Sequence, residues 1–247
     1  GESRVGLMGG SAMNTVLITG SSGLVGSASA LHFLDRGWRV MGVDNDSRAR
    51  FFGKEGSTEN NTIVHDSYHH SNVDIRHDSA MDLLIGQYKP DAVVHCAAQP
   101  AHEYSKMHPL EDFEINAHAT VKLLELCRNH IPEAPFIFLS SSKVYGLNVA
   151  GRGKIDETIP IDQAWHSPYG ANKAAESHGF LNYLVKCAVN GDKYRIFGFG
   201  GNQVRDNIHS VDVASAIWEC VVDPEPASVY NIGGGPENAT SVIGLIE

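Results

Sequence analysis

Residues 14–37 read as a short strand, a turn with three glycines, and a helix that ends at Gly37. The segment "NTVLITG" is rich in β-branched and apolar residues, and the apolar residues of "SSGLVGSASALHFLDRG" recur at helical spacing. Gly20, Gly23 and Gly26 suit a turn in which an anionic ligand approaches the backbone and the helix packs close to the strand. Glycines also occur in such turns for packing alone, so the rest of the chain has to support a ligand site.

Four further apolar runs, "WRVMGVD", "SNVDI", "DAVVHCAA" and "PFIFLSS", have the character of buried parallel strands. Helical segments alternate with them, including "SAMDLLIGQY" and "PLEDFEINAHATVKLLELCRNH", and a further helix is expected from about residue 168. Polar connections are expected at 45–66 and 147–165. The alternation predicts an α/β fold with a Rossmann-type, doubly wound parallel sheet.

The predicted organisation has three parts. Residues 1–12 lack an apolar signal core and resemble a cloning remnant, residues 13–177 form the dinucleotide-binding domain with the helix near 168, and residues 178–247 form mainly a small substrate lobe. Some segments of that lobe are expected to return to the first domain.

Composition excludes several classes of protein. The chain of 247 residues has a formal charge of −10, with 29 acidic against 19 basic residues and no basic block, so a nucleic-acid partner is not expected. No apolar run approaches the length of a membrane span. The four cysteines lie far apart without metal-ligand spacing, which favours a reducing, cytoplasmic compartment and predicts no metal site.

Acidic residues follow the predicted second and third strands. Asp44 lies about 20 residues beyond the glycine turn, where a carboxylate accepts hydrogen bonds from ribose hydroxyls and repels a 2′-phosphate. This position favours NAD, although Arg48 and Arg50 nearby keep NADP open. Asp74 and Ile75, expected to end the third strand, would hold the edge and face of an adenine ring, although a strand-end acid is also often simply solvated.

Tyr169 and Lys173 are spaced i and i+4, which places them on one face of the predicted helix. A phenol normally titrates near about 10, and a neighbouring ammonium lowers that value, so lysine can make tyrosine a base. Ser140, Ser141 and Ser142 end a predicted strand at the sheet edge where open α/β folds bind ligands. Each pattern alone is also consistent with surface residues or strand-end capping.

Several motifs together resemble the extended short-chain dehydrogenase/reductase (NAD-dependent epimerase/dehydratase) family acting on nucleotide sugars. They occur in the family's order and span nearly the whole chain from Met13: "TGSSGLVG", "VDIR", "HCAAQ", "INAHAT", "SSSKVYG", "SPYGANK", "VRDNIHSVD" and "YNIGGG". The resemblance implies Ser141, Tyr169 and Lys173 as catalytic residues. It also implies an NAD site formed by Gly20, Ser22, Gly23, Leu24, Val25, Gly26, Asp44, Asn45, Asp74, Ile75, Ala97, Ala98, Gln99, Asn116, Ser140, Tyr169 and Lys173.

Within the family, the chain looks most like CDP-paratose (CDP-tyvelose) 2-epimerases. The 4,6-dehydratases carry an acidic pair after the catalytic Ser/Thr, whereas this chain has Ser142 and Lys143, so dehydration is disfavoured. The implied substrate residues are Ser142, Lys143, Arg205 and His209, with the Arg205 fork suited to a diphosphate. An Arg-Asp-x-x-His stretch is also consistent with a satisfied salt bridge.

Alternatives within this reading are a 4-epimerase, a dehydratase or dehydrogenase on another nucleotide sugar, and a non-catalytic NAD-binding module. Family members have a further strand and substrate loop before the counterpart of "HGFLNY", whereas here Ser177 is followed directly by His178. We expect that two separated segments are joined at this point and that the family's C-terminal lobe continues beyond Glu247. A homodimer is the family expectation.

Overall fold

A computed structural model describes residues 13–61, 63–149, 156–161, 167–175, 204–206, 208–235, 237 and 239–241. Its main feature is a five-stranded parallel sheet in the order β3-β2-β1-β4-β5. The strands are β1 (Thr15–Thr19), β2 (Arg39–Val43), β3 (Tyr68–Ser71), β4 (Ala92–His95) and β5 (Phe136–Phe138). This order confirms the predicted doubly wound Rossmann-type sheet, whose ligand crevice lies where the order reverses, between β1 and β4.

Helices connect the strands. They are α1 (Leu24–Leu34), α2 (Ser47–Phe52), α3 (Asp78–Tyr88), α4 (His102–Met107), α5 (Pro109–Phe113) and α6 (Ala119–His130). Three short segments of other helix type also occur: 3₁₀ turns at Lys54–Gly56 and Ser142–Val149, and a π-helix at Glu114–His118 between α5 and α6.

The later part of the description contains α7 (Pro168–Ala175), α8 (Ser210–Val222) and an antiparallel pair of short strands, β6 (Val204–Asp206) and β7 (Ala239–Ser241). Helix α7 is the one expected from about residue 168. The segment "HGFLNY" and the junction of Ser177 with His178 lie outside the described residues.

Apolar side chains cover both faces of the sheet, because successive residues of a strand point to opposite faces. On β1, Leu17 joins a buried cluster with Met81 and Ile85 of α3, whereas Val16 and Ile18 join another with Phe33 of α1. Ile217 of α8 belongs to the second cluster, so a segment of the predicted C-terminal lobe packs on this domain.

The third strand lies earlier than predicted. The sequence favoured "SNVDI", but β3 ends at Ser71, which pairs with Val43, the last residue of β2. Because the partner strand ends there, the chain beyond Ser71 has no ladder to join. Asp74 and Ile75 therefore follow the strand instead of ending it.

Two other predicted segments are subdivided. The connection at 45–66 contains α2 and a 3₁₀ turn. The predicted helix from Pro109 to His130 does begin with Pro109 in its first turn, but the π-helix interrupts it.

Candidate active site

A cleft of about 420 Å³ opens at the carboxyl ends of the parallel strands. Its walls come from the glycine turn, the ends of β2 and β4, the segments after β3 and β5, and helix α7. Of the predicted site residues it is lined by Gly20, Gly23, Leu24, Val25, Gly26, Asp44, Asn45, Asp74, Ile75, Ala97, Ala98, Ser140, Tyr169 and Lys173.

The glycine turn brings bare backbone to the floor of this cleft. Gly20 has a φ of +68°, which favours glycine, and a Cβ on it would lie 2.7 Å from the backbone nitrogen of Ala97. A Cβ on Gly26 would lie 2.0 Å from the carbonyl oxygen of Gly20. Gly23 begins α1 without a side-chain cap, so the first N–H groups of the helix are left for an anion.

Asp44 directly follows β2, beside this turn. Its Oδ2 accepts a hydrogen bond from the Ser22 backbone N–H at 3.0 Å, and its Oδ1 accepts one from the Asp46 N–H at 2.8 Å. Ser22 itself lines an adjoining cavity of about 300 Å³, which Asp44 and Asn45 also border. Hydrogen bonds therefore hold the Asp44 carboxylate where the cleft and the adjoining cavity meet.

The Asp74 carboxylate accepts hydrogen bonds from two neighbouring side chains. Arg76 donates to its two carboxylate oxygens at 2.7 and 3.0 Å, and Asn45 Nδ2 donates at 3.0 Å. Burial raises the pKa of Asp74, but the hydrogen bonds and charge of Arg76 outweigh this effect and leave the pKa below its usual value. Asp74 thus lines the cleft as a carboxylate that already has partners.

The two arginines near the predicted ribose site differ in their surroundings. Arg50 forms an ion pair with Glu111, with 2.8 Å between Nη1 and Oε1. Arg48 lines the cleft, and its guanidinium carbon lies 4.7 Å from the centre of the Phe52 ring. The Arg50 guanidinium is therefore paired with Glu111, whereas Arg48 is the one of these two arginines that lines the cleft.

Gln99 and Asn116 lie behind the cleft, and both are fully buried. The Asn116 amide pairs with the backbone of Gln99 in both directions: Gln99 N–H donates to Oδ1 at 2.9 Å, and Nδ2 donates to the Gln99 carbonyl at 3.0 Å. The π-helix thus fixes the segment that carries the cleft residues Ala97 and Ala98.

Asp112 is a site residue that the sequence analysis did not identify. It lies four residues before Asn116, a spacing that places both on one helix face and that could have drawn attention to it. The Gln99 side chain, Asn116 and Asn172 all donate hydrogen bonds to its carboxylate.

Ser140 and Ser141 follow β5, but Ser141 is not among the described residues that line the cleft. Ser140 lines it, and Ser141 Oγ accepts a hydrogen bond from the Lys143 backbone N–H at 3.2 Å at the start of the 3₁₀ turn. Accepting this bond leaves the hydroxyl hydrogen to be donated. Ser142 and Lys143 are not among the described residues that line the cleft.

Tyr169 and Lys173 of α7 both face the cleft and are nearly buried, with exposed fractions of 8% and 3%. The Tyr169 ring contacts the His102 ring edge-on, with 4.6 Å between their centres. Lys173 Nζ lies 4.7 Å from the centre of the Phe138 ring and 3.5 Å from the Leu139 carbonyl oxygen. The aromatic hydroxyl and the cation therefore share one crevice with the glycine turn.

The remaining predicted substrate residues, Arg205 and His209, are not among the described residues that line the cleft. Arg205 is in β6, and its side chain lies outside the described part of the structure. His209 is exposed and caps α8, its Nδ1 accepting a hydrogen bond from the Val211 N–H at 3.2 Å.

Cys96 also lines the cleft, where burial raises the pKa of its thiol to about 12 and keeps it protonated. Across the described residues, no group of three or more His, Cys, Asp or Glu side chains could hold a metal ion. None of the helices in the described ranges is long and apolar enough to cross a membrane.

Comparison with known proteins gives consistent relatives. The model of the NAD dependent epimerase/dehydratase family matches residues 16–184. The CDP-paratose 2-epimerase of Salmonella typhi is 27% identical, over 94% of this chain and 82% of the relative. The dTDP-glucose 4,6-dehydratase of Neisseria meningitidis serogroup B is 30% identical, over 92% of this chain and 73% of the relative.

A solved structure agrees with these relatives. The UDP-glucose 4-epimerase of Thermotoga maritima, determined with UDP-glucose, superimposes with a TM-score of 0.69 at 25% identity, over 94% of this chain and 80% of that one. The fold, the cleft and the family match together show that the chain is an enzyme of the NAD dependent epimerase/dehydratase family.

Proposed function

We propose that the protein is an NAD-dependent nucleotide-sugar epimerase that inverts C2 of a CDP-sugar through a transient keto intermediate. The observation that carries the proposal is that Tyr169 and Lys173 line the same cleft as the glycine turn and Asp44. The similarity to a CDP-paratose 2-epimerase supports the choice of reaction and substrate.

The residues of the cleft fit NAD. The backbone at Gly20 and Gly26 leaves no room for a Cβ, which keeps the turn tight and α1 close to the sheet. Gly23 leaves bare backbone where a pyrophosphate would approach, and Asp44 is placed to accept from ribose hydroxyls. The residues that would hold NAD are Gly20, Ser22, Gly23, Leu24, Val25, Gly26, Asp44, Asn45, Asp74, Ile75, Ala97, Ala98, Gln99, Asn116, Ser140, Tyr169 and Lys173. When bound, NAD supplies a hydride acceptor that later returns the hydride.

In the proposal, Tyr169, Ser141 and Lys173 carry out the transfer of the sugar hydroxyl proton. Tyr169, as the phenolate, removes the proton of the sugar 2-hydroxyl, while the Ser141 hydroxyl donates a hydrogen bond to the same oxygen. Lys173 stabilises the phenolate by its charge. Once the keto sugar presents its other face, Tyr169 returns the proton, so the net reaction is an isomerisation without oxidation.

The nucleotide holds the intermediate in the enzyme during this step. In the proposal, the planar fork of Arg205 binds the diphosphate, and Ser142, Lys143 and His209 complete the substrate site. Residues 13–177 form the NAD-binding domain, and residues 178–247 supply most of the sugar-nucleotide pocket. The working form proposed is a cytoplasmic homodimer.

Dehydration is the alternative that a relative supports, because a dTDP-glucose 4,6-dehydratase is 30% identical. The 4,6-dehydratases of the family carry an acidic pair after the catalytic Ser/Thr, because elimination of water needs that extra acid and base. This chain has Ser142 and Lys143 at these two positions. The proposed epimerisation needs no acidic pair at these two positions.

The test is incubation of the purified protein with NAD and CDP-paratose in D2O, followed by NMR. The expected product is inverted at C2, carries no deuterium at that carbon because the hydride is returned, and forms without accumulation of NADH. Stoichiometric NADH would instead show a dehydrogenase, and a product that has lost water would show a dehydratase.

The variant Tyr169→Phe separates an enzyme from a binding module. We expect its turnover to fall by about 10²–10⁴-fold, the range of general acid–base catalysis, with NAD affinity within about threefold of the native value. Unchanged turnover in Tyr169→Phe would remove Tyr169 from the mechanism.

A further inference from the structure

Asp112 of α5 is a fully buried carboxylate that does not line the cleft. Its Oδ1 accepts hydrogen bonds from Gln99 Nε2 at 2.7 Å and from Asn116 Nδ2 at 3.0 Å, and its Oδ2 accepts one from Asn172 Nδ2 at 2.5 Å. The donors belong to three different segments: the loop after β4, the π-helix and α7. A single side chain therefore joins the segment that carries Ala97 and Ala98 to the helix of Tyr169.

The three hydrogen-bond partners suit an ionised carboxyl. Each is placed as an amide N–H donor, and a carboxylate can accept from all three. Burial raises the pKa of Asp112 above its usual value, and the hydrogen bonds from Asn172 and Gln99 and the charge of Lys173 offset only part of that rise. Lys173 is itself only 3% exposed, so the two opposite charges are buried near each other.

Other titratable groups surround α5 on the elements packed against it. Those on α4, the following turn, α5, the π-helix and α7 are His102, Glu103, Tyr104, Lys106, His108, Glu111, Glu114, His118, Tyr169 and Lys173. Glu111 pairs with Arg50 at 2.8 Å, and Lys106 pairs with Glu103 at 2.5 Å. Among these groups, Lys173 is the cation whose charge offsets part of the rise in the pKa of Asp112.

We propose that Asp112 is a positioning residue: its carboxylate fixes α7 against the cofactor-binding loop after β4 and balances the buried charge of Lys173. This inference rests on the catalytic roles proposed for Tyr169 and Lys173. It assigns to Asp112 no contact with substrate or NAD.

Two substitutions separate the hydrogen bonds from the charge. In Asp112→Asn the new NH2 group would face Asn172 Nδ2, but Asn172 Oδ1 is buried and has no hydrogen-bond partner among the described residues. A half-turn of the Asn172 amide would bring that oxygen to the new donor, so this variant can keep all three bonds and lose only the charge. Asp112→Ala loses both the three hydrogen bonds and the charge.

The first measurement is the pH profile of kcat and kcat/KM. Removing the negative charge in Asp112→Asn makes the site more positive, which favours the Tyr169 phenolate and disfavours the Lys173 ammonium. Both limbs of the profile should therefore move to lower pH. A profile that superimposes on that of the native enzyme would overturn the proposed charge balance, because a purely structural role would not move the limbs.

In Asp112→Ala, we expect kcat at its pH optimum to fall by about 10²-fold, since small displacements of reacting groups have effects of that size, with NAD affinity within about threefold. The control is Glu114→Gln, a carboxylate on the adjoining π-helix that is 57% exposed and should leave kcat and its pH profile unchanged. An unchanged kcat in Asp112→Ala would overturn the positioning role.

Hydrogen exchange of the amides of residues 169–175 tests the inference without catalysis. Exchange should be faster by about tenfold or more in Asp112→Ala and close to native in Asp112→Asn and Glu114→Gln, because local opening reports how α7 is held. Native exchange in Asp112→Ala would refute the positioning of α7. If the native protein turns over no nucleotide sugar but this exchange pattern is found, the proposed function fails and the structural link stands.

Discussion

His95 at the end of β4 is a fully buried histidine with both ring nitrogens hydrogen-bonded. Thr120 Oγ1 donates to the Asn116 carbonyl, so it accepts from His95 Nε2–H at 2.8 Å, and Nδ1 in turn accepts from the Thr19 hydroxyl at 2.6 Å. Thr19 Oγ1 also accepts from the Ala97 N–H at 3.2 Å. The neutral imidazole thus completes a chain of hydrogen bonds from the cleft backbone to the π-helix.

This histidine should make stability depend on pH. Burial, assisted by the charge of Lys173, lowers the pKa of His95 to about 3, whereas an unfolded histidine titrates near about 6.5. Below pH ~6.5 the unfolded chain binds a proton that the folded protein does not, so the free energy of unfolding falls as pH falls toward 3. The expected loss from this residue between pH 7 and pH 5 is about 2 kcal/mol.

Urea unfolding at pH 7 and pH 5 measures this loss. His95→Gln should be less stable than the native protein at pH 7, but should lose about 2 kcal/mol less on going to pH 5. The contributions of the other titratable groups to this change in free energy are common to both proteins and cancel in the comparison. Equal losses would show that His95 does not stay neutral in the folded protein.

Asp44 should decide between the two nicotinamide dinucleotides. Asp44→Asn removes the charge that repels a 2′-phosphate and weakens the acceptor for ribose hydroxyls. The Kd for NAD should rise about tenfold, equivalent to ~1.4 kcal/mol, and the preference for NAD over NADP should narrow. Calorimetric titration with each dinucleotide measures both values, with the exposed Asp66→Asn as control. A native protein that binds NADP as tightly as NAD would contradict the role of Asp44.

At the scale of elements, the backbone of the turn between β1 and α1 is closely packed. A Cβ at Gly26 would meet the Gly20 carbonyl oxygen at 2.0 Å, whereas a Cβ at Gly23 would lie 3.3 Å from the same atom. Gly26→Ala should therefore destabilise the protein by about 3 kcal/mol, at the upper end of ordinary overpacking, and Gly23→Ala by much less. Chemical unfolding of the two variants gives the comparison. Equal stability of the pair would show that the start of α1 can shift away from Gly20.

The sequence predicted the order of strands and helices because buried strands and amphipathic helices follow short-range periodicity. It misplaced β3, since the apolar residues Val73 and Ile75 resemble a strand, whereas the edge strand has the polar sequence "YHHS" and ends with its partner. Asp74 lines the cleft although it does not end the strand, and its pairing with Arg76 depends on the turn after the strand.

Long-range contacts explain what the sequence could not predict at the site. Asp112 and Asn172 are 60 residues apart, and only the packing of α5 against α7 brings them together. By contrast, Tyr169 and Lys173 are neighbours within one helix, so their spacing alone placed both on one face, and the structure puts that face at the cleft.

At the scale of the whole molecule, α8 connects the C-terminal part of the chain to the cofactor-binding domain. Val213 near its start lines the cleft, and Trp218 packs edge-on against Phe33 and Trp38, with ring centres 5.2 and 5.8 Å apart. The guanidinium of Arg36 lies 5.1 Å from the centre of the Trp218 ring. This aromatic cluster therefore anchors a helix that also reaches the cleft.

Trp218→Ala should weaken that anchor without damaging the cleft, because Trp218 is more than one helical turn beyond Val213. We expect a loss of about 2–3 kcal/mol in the free energy of unfolding, less than for a fully buried tryptophan because Trp218 is only half-buried. Val222→Ala, at a position that is 48% exposed on the same helix, should change stability by less than about 0.5 kcal/mol.

Urea unfolding measures the stability of each variant, and NAD titration measures the Kd for NAD, which should stay within about threefold of the native value. If Trp218→Ala were as stable as the native protein, α8 would not be held by this cluster, and if NAD binding were lost with stability unchanged, the cluster would act on the cleft instead of the fold.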